Sequence, residues 1–117
     1  TVFGNRANHQ SIIQVLKDVG MEAYQNYYPD EMSGGMQQRI AIARSLINDP
    51  MIIFADEPTG NLDQNNGKMI MELFSSLHHN LKKTIIMVTH NEDSIKYGTR
   101  TIRMLDGRVS RDEKHLL

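Results

Sequence analysis

The chain has no cysteine, no strong charge of either sign and no long apolar run, and each absence narrows what it can be. Without thiols it forms neither disulfides nor thiolate metal sites, which suits a reducing compartment. Thirteen basic residues against 14 acidic ones leave a formal net charge of −1, so no overall field draws it to nucleic acid or anionic lipid. No apolar run approaches the roughly 18 residues of a membrane span, and no signal peptide opens the sequence. There is no internal repeat and no low-complexity segment. At 117 residues the chain can bury one modest core. It opens at Thr1 without an initiator methionine, and the expectation is a cytoplasmic domain with a further segment ahead of it.

What is present is ordered by periodicity. Ile12, Val15, Leu16 and Val19 recur at helical spacing over residues 11–19, and Gly20 is placed to end that helix. Residues 21–31 hold three tyrosines and Pro29 and read as a connector. A second helix is expected over 34–48, with Met36, Ile40, Ala43 and Ile47 on one face and Pro50 as its stop. Residues 51–55 form a continuous apolar run, the pattern of a strand buried on both faces of a parallel sheet. Asp63 can cap a third helix whose stripe is Ile70, Leu73, Phe74, Leu77 and Leu81. Residues 84–89 are a second β-branched run, and a short helix follows over 92–97. Asp106-Gly107 between residues 101–105 and 108–110 signals a hairpin. The expected architecture is α/β: a helical portion over 1–50 attached to part of a layered, mainly parallel core over 51–117.

Three short stretches carry the chemistry. In "MSGGMQQR", Ser33, Gly34 and Gly35 stand where a helix must start. A helix start offers unpartnered N–H groups and the positive end of its dipole, and glycines remove the Cβ atoms that would hold an anion away. A plain N-cap with a glycine hinge accounts for these residues equally well. In "MIIFADEP", Asp56 and Glu57 follow a strand whose carboxyl end faces the ligand crevice of an open parallel sheet. One carboxylate there can hold Mg²⁺ through water while its neighbour orients a water for attack. Two acids opening a turn before Pro58 is the simpler alternative. In "MVTHN", His90 ends the second strand; beside the first strand, it shares a rim with both acids.

In this order and spacing the three stretches, with Pro58-Thr59-Gly60-Asn61-Leu62-Asp63 between them, resemble the ATP-binding-cassette (ABC) ATPases over essentially the whole chain. "ADEPTGNLD" is similar to the bacterial group of lipoprotein-releasing, macrolide-export and antimicrobial-peptide-resistance transporters. The resemblance implies the C-terminal half of such a cassette: part of a P-loop NTPase core plus part of the helical signature subdomain. It implies that Ser33, Gly34 and Gly35 contact the γ-phosphate of ATP held by the opposite subunit, with Gln37 and Asp63 beside the nucleotide. Asp56 matches the acid that supports Mg²⁺, and Glu57 the carboxylate that polarises the attacking water. Residues 61–63 match the loop that couples two sites across a dimer, and His90 the histidine that reaches the γ-phosphate. The implied partners are a second nucleotide-binding domain and a membrane permease, with no nucleic acid. The implied place is the cytoplasmic face of the cell membrane.

The chain also departs from the family pattern. Met32 and Met36 stand where Leu and Gln or Glu are usual, and Met36 removes a polar side chain near the nucleotide. No G-x-x-x-x-G-K-[ST] occurs; Gly67-Lys68 is followed by Met69 and reads as a solvated helix face. The family's glutamine loop and adenine-stacking strand are absent as well. Two other readings stand beside the transporter. One is the C-terminal lobe of a chromosome-maintenance or DNA-repair ATPase head, which would follow a long coiled coil that residues 11–19 do not show. The other is a natural half-domain acting as a non-catalytic partner.

Minor candidates get structural readings. His78 and His79 point apart on a helix, and His9 and His115 have no partners in sequence. The eight methionines read as core filler, Tyr24, Tyr27 and Tyr28 as ordinary packing, and the charged stretch from Arg108 as a solvated end.

Without a P-loop the chain has no nest for a β-phosphate and no lysine to neutralise it. The 117-residue chain alone is expected neither to bind ATP tightly in calorimetric titration nor to turn it over; a clear saturable Mg-ATP affinity in the micromolar range would refute this.

Overall fold

A computed structural model describes residues 9–115, with nothing stated of the side chains of His9 and Gln10; Thr1 and the segment around it lie outside the described residues. Helix α1 (His9–Asp18) ends where Gly20 adopts φ +74°. The Gly20 N–H reaches the Lys17 carbonyl at 3.1 Å and the Met21 N–H reaches Leu16 at 2.8 Å, the paired bonds of a Schellman end. Arg39 donates a further bond to the Val19 carbonyl at 2.7 Å, so the end of α1 is also tied to its neighbour. Two single 3₁₀ turns, Glu22–Tyr24 and Pro29–Glu31, make the connector.

Helix α2 (Gly34–Leu46) is capped by Ser33, whose hydroxyl accepts the Met36 N–H at 3.2 Å. It stops earlier than the expected Asn48, because Asp49 turns left-handed at φ +50° one residue ahead of Pro50. Its inward face is rotated from the one read off the sequence: Ile42 and Leu46 join Ala43 in the core, while Met36, Ile40 and Ile47 are half-buried.

Strand β1 (Ile52–Asp56), helix α3 (Gln64–Leu81) and strand β2 (Thr84–Val88) form a crossover unit with parallel pairing from Ile52↔Thr84 to Asp56↔Val88. A short helix α4 (Glu92–Ile95) leads to the antiparallel hairpin β3 (Arg100–Leu105) and β4 (Arg108–Lys114). Its two-residue turn has Asp106 at φ +51° and Gly107 at φ +75°, the left-handed pair that matches strand twist. The hairpin strand expected over 108–110 runs further than the sequence suggested. The segment is solvated, yet it continues as β4 to Lys114, and Arg100 forks onto Asp112 across the pair at 2.9 and 2.6 Å. That guanidinium holds the Asp112 carboxyl below its ordinary range.

The core gathers Val15, Leu16, Val19 and Met21 around α1, Ile42, Ala43 and Leu46 from α2, Ile53 from β1, and Ile70, Met71, Leu73, Phe74 and Leu77 from α3. The strands correct a second expectation. Ile53 is 5% exposed, but Phe54 is 76% exposed, and Ile52, Ile86 and Val88 stand open on the same face. Among the described residues, helices cover one face of the β1–β2 pair, so the double-faced burial read from the apolar run is not reached.

The tyrosines are likewise exposed: Tyr24 and Tyr27 meet edge to face at 5.0 Å, at the surface rather than in the core. The methionines divide, with Met21 and Met71 buried and Met51, Met69 and Met104 exposed. No helix among the described residues is long and apolar enough to cross a membrane.

Leu77 is 1% exposed and Leu81, one turn on, is 40% exposed. Leu77→Ala is expected to cost about 3 kcal/mol in urea denaturation and Leu81→Ala under about 1 kcal/mol, because only the first opens a cavity. Equal losses would show that the end of α3 is packed differently.

Candidate functional site

The pairing of β1 with β2 sets Asp56 opposite Val88, so the residues leaving both strands share one rim. The Glu57 N–H adds one more rung by donating to the Val88 carbonyl at 2.8 Å. Glu57 itself sits at φ +46°, a left-handed conformation that a glutamate adopts at a cost of about 1–2 kcal/mol. This twist brings its carboxylate to the loop after β2. Oε1 accepts the His90 backbone N–H at 2.8 Å and Oε2 takes the Thr89 hydroxyl at 3.4 Å.

The His90 imidazole stands 95% exposed, its Nε2 3.6 Å from Glu57 Oε1, while the Glu57 side chain is 34% exposed. The loop is therefore anchored through its backbone, while the ring lies beside the carboxylate and open to solvent. Asp56 points with Phe54 to the open face of the pair, at its carboxyl end. Behind the loop, Arg103 of β3 forks onto Glu92 at 3.1 and 3.2 Å, holding that carboxyl below its usual range and fastening α4 to the hairpin.

A second cluster forms where α2 and α3 begin. Asp63 caps α3 by accepting the Asn66 N–H at 2.8 Å, so this carboxylate serves its own helix. The two glycines of α2 face that corner. A Cβ on Gly34 would lie 3.3 Å from Leu62 Cδ2, and one on Gly35 would lie 2.8 Å from Asn66 Oδ1. Close packing against Leu62 and Asn66 is thus a reason for glycine here that the sequence pattern does not carry. The Gln37 side-chain amide donates to the Pro29 and Met32 carbonyls, both at 3.1 Å, and braces the turn before the cap. Residues 58–62 link the two clusters, with the Gly60 N–H returning to the Glu57 carbonyl at 3.1 Å.

The structure thus brings Glu57 to His90, and Gly34 and Gly35 to the segment ending in Asp63, as two adjoining groups. Thr89 and Asn66 are the contributors that sequence reasoning missed; for Thr89 the signal was its place beside His90, and for Asn66 there was none. His78 is engaged elsewhere, at the end of α3. His78 donates through Nδ1 to the Lys83 carbonyl at 2.8 Å, and no group of three or more metal-ligating side chains forms among the described residues.

A parallel strand pair joined by a crossover helix, with paired acids at its carboxyl end and a serine-capped helix start alongside, belongs to the P-loop NTPase fold. Residues 1–60 match the family described as ABC transporter, and the chain belongs to that family. It is 53% identical over 105 residues to the macrolide export ATP-binding/permease protein MacB of Chlorobium phaeobacteroides, covering 90% of this chain and 16% of that one. It is 46% identical over 95 residues to the lipoprotein-releasing system ATP-binding protein LolD of Cytophaga hutchinsonii, covering 81% of this chain and 43% of the relative. Its fold matches a dimeric, post-hydrolysis structure of the ATP-binding cassette MJ0796 bound to ADP and Pi, with TM-score 0.75 and 40% identity over 95% of this chain and 50% of that one. The chain therefore spans half or less of the proteins it matches.

Because Gly35 and Asn66 touch, Gly35→Ala and Asn66→Ala are expected to be non-additive. Gly35→Ala should destabilise by about 1 kcal/mol alone and by much less once Asn66 is truncated, measured as a double-mutant cycle in urea. Additive losses would separate the two residues.

Proposed function

We propose that this chain is the C-terminal half of the ATP-binding cassette of a transporter, and that the complete cassette hydrolyses ATP in a head-to-tail dimer to drive a membrane permease. Residues 1–50 then belong to its helical subdomain and 51–117 to its nucleotide-binding core. The exposed face of Ile52, Phe54, Ile86 and Val88 is the surface on which the other half of the core packs. The cassette works at the cytoplasmic side of the membrane, held there by its permease. The names of the similar export and lipoprotein-release proteins, and the dimeric state of the similar solved cassette, support this reading.

The residues present suit a nucleotide's phosphates and Mg²⁺ in part. The first turn of α2 carries no acidic side chain, its cap is a hydroxyl and its opening residues are glycines, which fits contact with a phosphate held by a partner subunit. Ser33, Gly34 and Gly35 would make that contact, with Gln37 and Asp63 at its border. Asp56, solvent-exposed at the end of β1, would hold Mg²⁺ through water. The ion supplies charge neutralisation at phosphate oxygens when bound. No residue of this chain replaces the P-loop lysine, so the chain by itself is inactive.

Glu57 orients the attacking water and accepts its proton, and the exposed His90 ring beside that carboxylate would reach the γ-phosphate. The observation that carries the proposal is the Glu57 carboxylate fixed on the rim of paired parallel strands by the amide of His90. In the complete cassette, Glu57→Gln is expected to cut ATP turnover at least about 100-fold while ATP binding by equilibrium titration persists, since only the proton acceptor is lost. Unchanged turnover would sink the assignment.

A further inference from the structure

A carboxylate gripped at one oxygen still swings about its last torsion, which has a broad, shallow energy profile. Gripping the second oxygen fixes its plane. In this structure both grips come from one loop: the His90 N–H on Oε1 at 2.8 Å and the Thr89 hydroxyl on Oε2 at 3.4 Å. The same hydroxyl accepts the Asn91 N–H at 3.0 Å, and Asn91 in turn caps α4 by accepting the Asp93 N–H at 2.9 Å. A threonine hydroxyl has one proton and two lone pairs, so with Asn91 on a lone pair the proton is free for Glu57. Thr89 is half-buried and its hydroxyl makes two bonds, one donated to Glu57 and one accepted from Asn91, which together hold its side chain.

We infer that Thr89 is a positioning residue for Glu57, setting the plane of the carboxylate through a hydroxyl that is itself fixed by the Asn91 amide. The inference rests on the hydrolytic role proposed for Glu57 and adds a residue that acts through that carboxylate. The contact to Oε2, at 3.4 Å, is the weaker of the two grips.

The test uses the complete cassette with Thr89→Val, which removes the hydroxyl at nearly constant shape, and Thr89→Ser, which restores it. The valine variant is expected to lose about tenfold in kcat with KM for ATP unchanged within about twofold, and the serine variant to recover kcat. Without nucleotide, the His90 amide of the valine variant is expected to exchange with deuterium about tenfold faster by NMR, because the carboxylate it donates to can now swing, and serine is expected to restore wild-type exchange. If the valine variant does not fold, Thr89→Ala removes the same hydroxyl. Wild-type kcat and wild-type His90 exchange in Thr89→Val would overturn the inference, as would a loss of kcat that serine fails to rescue. If Glu57→Gln leaves turnover intact, the hydrolytic reading fails, and the amide exchange alone then decides whether Thr89 positions the carboxylate.

Discussion

The fold depends on the apolar stripe of α3. Parallel strands cannot be joined by a tight turn, so β1 and β2 need a crossover that also covers them. Ile70, Leu73, Phe74 and Leu77 supply it, forming one buried cluster with Ile53 of β1 and with residues of α1 and α2. Each such side chain contributes about 1.5–3 kcal/mol by leaving water, which outweighs any single ion pair on this surface. Lys83 shows the ranking locally: its stem is buried at the end of α3, while its ammonium pairs with the exposed Asp49.

The candidate site inherits its geometry from that packing. A one-residue slip between β1 and β2 would turn Ile53 and Ala55 outward and carry Asp56 to the other face. Core burial therefore guards the register, and the register sets Glu57 against the loop that follows Val88. The anchoring of that loop continues outward through Asn91 to α4 and through Glu92 and Arg103 to the hairpin. In the other direction the turn after Glu57 leads to Asp63, the α3 cap, and so to Asn66 and the glycines of α2.

Much of this was legible in the residues. The 3.6-residue stripes of α1 and α3, the glycine stop at Gly20, the Asp63 cap and the Asp106-Gly107 turn all encode local chemistry, and the elements formed where that chemistry puts them. The rim shared by Glu57 and His90 followed from a general property of parallel sheets. What was not legible depends on contacts between distant segments. An apolar run such as Ile52-Ile53-Phe54 records that a strand is to be covered, but not which residues cover it. The approach of Gly35 to Asn66 spans two helices and leaves no periodic trace. Tyr24, Tyr27 and Tyr28 are exposed on the connector, which their composition does not reveal. The charged residues 111–114 concealed how far β4 extends, because that stretch is held by cross-strand partners such as Arg100 and Asp112.

The left-handed backbone at Glu57 has an evolutionary consequence. Glycine or asparagine would occupy that conformation with less strain, so position 57 holds an acid that its own backbone disfavours. Selection for robustness to heat alone would erode the acid in favour of those residues. On the hydrolytic role proposed for Glu57, glutamate is kept there for its chemistry, and a cassette that had ceased to work would be expected to lose it early.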